Sequence, residues 1–142
     1  MTIELHRDSS SPLAQAVKIR KHALLADATL AEGGSDAGPS PHDFYDAALA
    51  SCKAITVMWY ARKKGIPVDD IHTLVEHDAS QERNGIYKLS TRLQISGALT
   101  DAQLTELENV AMKCPVHKLM TKVSTEITTV VERMPSAAGV VR

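Results

Sequence analysis

The sequence predicts an α+β domain. Three observations carry that prediction. Apolar residues alternate with polar ones in the first thirty positions and again over 71–97, one long capped helix fits about 41–64, and further helical segments follow residue 100. With 142 residues, 44% hydrophobic and 23% charged, the chain suits one domain spanning 1–142 with a core of its own. Aromatics are only 4%, so that core must be built from Leu, Ile, Val and Ala.

The N-terminal strands occupy 1–30. Ile3 and Leu5 alternate with polar partners, Ser9-Ser10-Ser11-Pro12 turns the chain, and Leu13, Gln15, Val17 and Ile19 fall on one strand face. A third run, His22 to Ala26, follows. The segment from Gly33 to Pro41 holds three glycines and two prolines and reads as a loop. It lacks the spacing of a phosphate cradle.

The loop runs into a strong helix start, with Ser40 as N-cap, Pro41 in the first turn and Asp43 placed to complete a capping box. Nothing breaks the helix until Gly65-Ile66-Pro67. Its surface is apolar almost all round, apart from a narrow stripe of Asp43, Asp46, Lys53 and Thr56. Such a helix belongs in a core or an oligomer interface, so it is expected to be the central helix of the fold.

Two strands over 71–97, around Glu82-Arg83-Asn84-Gly85, form a predicted hairpin. Thr100 and Gln103 make a second capping box for a helix carrying Leu104, Leu107, Val110 and Ala111. Pro115 interrupts that helix and starts a new turn over Val116–Met120. Helices and a last strand, Glu126 to Val131, complete 101–131, and a flexible tail is expected over 134–142.

Sixteen basic residues against seventeen acidic ones give a net charge of −1. That balance argues against a nucleic-acid-coating protein or a polybasic membrane binder. No apolar run reaches membrane-spanning length, and the first residues lack a signal-peptide pattern. A reducing cytoplasm is therefore the expected compartment, where a standing structural disulfide is not.

Attention then falls on Cys52 and Cys114, the only two cysteines. Cys52 lies mid-helix among apolar residues, as a small core residue would. Cys114, just before Pro115, sits at a helix N-terminus, where free N–H groups favour a thiolate. Helix position alone makes Cys114 the better nucleophile. Cys114 and His117 also share a helix face, and a metal site would need Cys52 and His42 to converge on them. His117 equally suits the orientation of a thiolate or a place on the surface.

The stretches Gly33–Pro41, Ala47–Val57, Tyr60–Ile66 and Cys114-Pro115-Val116-His117 resemble the OsmC/Ohr family of organic hydroperoxide reductases. The resemblance runs from about Ile19 to Val131. It implies an intertwined homodimer with antiparallel sheets wrapped around long buried central helices. It also implies a cofactor-free thiol peroxidase without a metal, serving antioxidant defence in the stress response. In that scheme Cys52 attacks an organic hydroperoxide and becomes a sulfenic acid, Cys114 closes a disulfide with it, and a dithiol of dihydrolipoyl type reduces the pair.

Family members place a Glu ten residues before the first cysteine, after a proline, to orient an Arg beside the thiolate. In this divergent sequence the position is His42, Asp43 is the adjacent carboxylate, and Arg20 is the candidate cation. The alternatives are a non-catalytic relative that binds an apolar ligand or thiol adduct in the dimer cleft, and the Cys/His metal site.

Overall fold

A computed structural model describes residues 1–136. The N-terminal strands β1 (Ile3–Arg7), β2 (Gln15–Ile19) and β3 (His22–Ala26) form an antiparallel meander in the order β1-β2-β3. Register pairs Leu5 with Val17 and Val17 with Leu24, which places these apolar side chains in one row across the sheet. Leu13 lies outside β2, which begins at Gln15. Ile3, Leu5 and Leu24 remain about half exposed, because this sheet packs little against the rest of the chain.

The glycine-rich loop has an organising centre that the sequence did not reveal. Asp27 is 4% exposed and accepts hydrogen bonds from the Ser11 hydroxyl (3.0 Å) and from the backbone N–H groups of Ala28 (2.8 Å), Ser35 and Ala37 (both 3.1 Å). Burial pushes its carboxyl up, but these donors outweigh burial and hold it below the usual carboxylate range. Gly34 and Gly38 let the loop close. A Cβ on either would lie 2.2 Å from the Ala28 carbonyl oxygen or 2.4 Å from that of Leu25.

Helix α1 (Pro41–Lys64) begins and ends as predicted. Ser40 and Asp43 complete the capping box, with bonds of 3.2 and 2.9 Å. Gly65, at φ +68°, closes the other end in the left-handed region. The strands β4 (Asp70–Asp78) and β5 (Lys88–Ser96) pair antiparallel over their full length, from Asp70 with Ser96 to Asp78 with Lys88. Asn84 and Gly85 belong to a longer connection, 79–87, that contains a short 3-10 turn (Glu82–Asn84), so they do not form a two-residue hairpin turn.

Along β5, Leu89, Leu93 and Ile95 alternate inward with polar neighbours outward. With Ile71 they cover one side of α1, and helix α2 (Asp101–Met112) covers another. Val57, Ala61, Ile66 and Leu107 form the buried centre. Val57 and Leu107 are 0% exposed, each burial contributing about 1.5–3 kcal/mol. Helix α3 (Pro115–Thr121) follows a one-turn break at Lys113-Cys114.

Two expectations change. Helix α1 is not buried all round: Ile55 is 68% exposed and Trp59 60%. The strand expected over 126–131 is not formed either. Residues 123–136 carry no regular structure, and Ile127, Val130 and Val131 are strongly exposed. Alternation creates an apolar face, but a strand also needs a neighbouring edge for its N–H and C=O groups, and this segment pairs with none. Of the tail expected over 134–142, residues 137–142 lie outside the described residues.

Candidate functional site

Two members of the polar stripe of α1, Asp46 and Lys53, face inward, whereas Asp43 is exposed. Asp46, Leu49, Lys53, Val57 and Ala61 are the buried residues of the helix, and their three- and four-residue spacing puts them on one helix face. The core side of α1 thus carries two charged residues. Asp46, 6% exposed, accepts from the Tyr87 hydroxyl (2.6 Å) and pairs with His77 Nδ1 (2.6 Å). Burial first, and then the Asp46 contact, push the Tyr87 phenol far above its ordinary range, so it remains a donor.

Lys53, 4% exposed, reaches across to the α2–α3 junction. Its Nζ donates to the Ala111 carbonyl oxygen at 2.8 Å and lies 2.9 Å from His117 Nδ1. An ammonium has no acceptor capacity, so His117 Nδ1 is the acceptor and a neutral imidazole carries its proton on Nε2. Burial, then the charges of Lys53 and Lys122, lower the His117 pKa and favour that neutral form.

Cys114 caps α3. Its backbone is extended (φ −63°, ψ 144°), Pro115 opens the first turn, and its Sγ accepts from the His117 N–H at 3.4 Å. Cys114 is 0% exposed, and the Cys52 thiol is near enough to help raise its pKa. Cys52 is half-buried, with Sγ 3.9 Å from Thr56 Oγ1. The structure therefore brings together Cys52, Cys114, His117 and the unforeseen Lys53.

The expected activation of Cys114 by its helix end is outweighed. Burial pushes the thiol up, and Cys52 adds to that; the His117 N–H and the Lys53 charge pull it down without overcoming burial. Burial thus opposes the thiolate that the helix end favours.

The other candidates lie elsewhere. Arg20 occupies the β2–β3 turn at φ +54°, exposed, with its guanidinium 3.8 Å from Met1 Sδ. Asp43 is held by its cap with Ser40. His42 Nε2 pairs with Glu82 at 2.7 Å, and that contact raises the His42 pKa. Among the described residues, no group of three or more His, Cys, Asp or Glu side chains is arranged to hold a metal ion. A groove of about 680 Å³ runs beside His117, walled by Tyr45, Leu49, Tyr87, Leu89 and Met120. Its walls are mainly apolar.

A family profile described as OsmC-like protein matches residues 33–130, which includes both cysteines. The chain belongs to the OsmC-like family. Solved structures agree on the fold. An OsmC-like protein from Mycoplasma pneumoniae superposes with a TM-score of 0.68 at 18% identity, covering 86% of this chain and 87% of that one. The organic hydroperoxide resistance protein OsmC from Legionella pneumophila gives 0.60 at 19%, covering 85% and 88%. The organic hydroperoxide resistance protein OhrB of Bacillus subtilis gives 0.55 at 19%, covering 85% and 90%. A search of curated proteins finds no match. The α+β architecture of antiparallel sheets and helices is thus the OsmC-like fold, and among the described residues no helix is long and apolar enough to cross a membrane.

Proposed function

We propose that this OsmC-like chain is a thiol peroxidase that reduces organic hydroperoxides to alcohols with electrons from a dithiol. The observation that supports the reading is that two free thiols from distant elements, Cys52 on α1 and Cys114 at the start of α3, lie near enough for Cys52 to raise the Cys114 pKa. Cys52 is the more accessible of the two and takes the first step. Its thiolate attacks the hydroxyl oxygen of the peroxide, the O–O bond breaks and the sulfur keeps that OH as a sulfenic acid, while the departing alkoxide takes up the proton that Cys52 released and leaves as the alcohol. Cys114 then displaces the oxygen as water and closes the Cys52–Cys114 disulfide, which a dithiol of dihydrolipoyl type reopens by exchange. The apolar groove beside His117 suits an alkyl or aryl group better than a bare peroxide. No metal or organic cofactor is needed for these steps.

The similarity to hydroperoxide resistance proteins supports the same substrate class and a place in stress defence. The working protein in this reading is a cytoplasmic homodimer. Exposed Ile55, Met58 and Trp59 form an apolar face on α1, and the unpaired 123–131 segment offers a strand to a second copy. In the test, consumption of cumene hydroperoxide with dithiothreitol is followed for the native chain and for Cys52→Ser. The variant is expected to lose turnover altogether. Undiminished consumption by Cys52→Ser would overturn the reading.

A further inference from the structure

Lys53 is a buried ammonium held by two neutral acceptors, the Ala111 carbonyl oxygen and His117 Nδ1. Among the described residues no carboxylate lies within ion-pair distance of it. A charge removed from water is costly unless an opposite charge compensates it. Glu108 and Arg92 line a groove with Lys53 but make no ion pair with it. The groups facing this corner are Cys52 from α1, Cys114 and His117 from α3, and Lys122 just beyond α3. Of these, only the two thiols are able to become negative.

We propose that Lys53 is the charge partner of Cys114 in its thiolate form, and that it thereby governs the closing and reopening of the Cys52–Cys114 disulfide. The proposal rests on the peroxidase reading above and adds a residue to its resolving step. Cys114 is fully buried, so water does not stabilise its anion and the nearest fixed charge dominates. Lys53 also fixes the ring of His117, whose backbone N–H points at the same sulfur. Charge and hydrogen-bond donor therefore converge on Cys114 from two elements.

The Cys114 thiolate attacks the sulfur of the Cys52 sulfenic acid, the S–S bond forms as the S–O bond breaks, and hydroxide leaves. The proton released earlier from Cys114 combines with that hydroxide as water. In reduction, a thiolate of the dithiol attacks Cys52, and Cys114 leaves as an anion beside Lys53. The dithiol's second thiol then releases Cys52. The organic hydroperoxide is the oxidant of the cycle and the dithiol its reductant. Resting Cys114 stays protonated, and Lys53 acts when the anion is called for.

The test uses the full chain with Lys53→Gln, which keeps amide donors without the charge, and Lys53→Arg, which keeps the charge. After a pulse of cumene hydroperoxide, rapid alkylation and intact mass separate sulfenic acid from disulfide. In Lys53→Gln, closure at neutral pH is expected to slow about tenfold or more, its pH–rate profile to move upward by about a unit, and Cys52 to proceed to sulfinic acid. Lys53→Arg is expected to restore the native profile. Closure in Lys53→Gln with the native rate and pH profile would overturn the proposal.

A second measurement separates this proposal from the peroxidase reading, since it needs no peroxide. The pH titration of ultraviolet thiolate absorbance, which needs no access to the sulfur, is compared between Cys52→Ser and Cys52→Ser/Lys53→Gln, where Cys114 is the remaining thiol. A midpoint that rises with loss of the charge supports the pair, and an unchanged midpoint refutes it. Failure of the native chain to form any disulfide would instead count against the peroxidase reading.

Discussion

Cys114 is excluded from solvent while Cys52 is half-buried, so the two thiols differ in access. Alkylation needs both access and a thiolate, and burial denies Cys114 both at rest. With iodoacetamide at neutral pH, peptide mass spectrometry is expected to find Cys52 modified first, and Cys114 more slowly by about tenfold or more. Preferential labelling of Cys114 would show that the helix end outweighs burial after all. The sequence makes both cysteines conspicuous, with helix position favouring Cys114 and the family resemblance favouring Cys52. The N-cap position of Cys114 was legible from Pro115, whereas its burial depends on α1 and α2 arriving from elsewhere in the chain. Lys53 reads in the sequence as one member of a polar stripe. Its signal was present in the spacing with Leu49, Val57 and Ala61, which puts a charge on the core face of the helix.

The capped helices were the most legible elements, because Ser40-Pro41, Gly65 and Thr100 act through local geometry that the sequence states outright. The glycine loop was legible as a loop but not as a latch, since its four donors to Asp27 come from Ser11, Ala28, Ser35 and Ala37. Two outcomes follow for this element. Gly38→Ala forces a Cβ against the Leu25 carbonyl, and thermal melts are expected to show a loss of about 1–3 kcal/mol. Asp27 has its folded pKa depressed, so its contribution is present above the unfolded value near ~3.9 and is lost as pH falls through the folded one. Asp27→Asn should therefore melt below the native chain at pH 7, with the gap narrowing toward pH 3. A gap independent of pH would mean that the carboxylate's charge is not what holds the loop.

At the scale of the molecule, the chain leaves apolar surface without a partner. Ile55 and Trp59 face outward from α1, the β1–β3 sheet keeps Leu5 and Leu24 half exposed, and the 123–131 segment has strand alternation without a sheet edge. In the homodimer proposed above, these features account for two differences between sequence and structure: the helix reads as buried all round and the last strand reads as a strand because a second copy would cover them. Sedimentation is expected to give twice the 15.4 kDa chain mass, with Trp59→Glu shifting the population to monomer. A native chain that sediments at its own mass would remove the homodimer from the account.

The central claim is that Cys52 and Cys114 form a working couple, and intact mass spectrometry tests it most directly. The fully reduced protein is treated with one equivalent of cumene hydroperoxide, quenched with an alkylating agent and digested without reductant. A working couple is expected to lose two hydrogens from the intact chain, to leave both thiols unavailable to the alkylating agent, and to yield a Cys52–Cys114 crosslinked peptide that dithiothreitol separates. Two alkylated cysteines after peroxide treatment, with the hydroperoxide unconsumed, would contradict it.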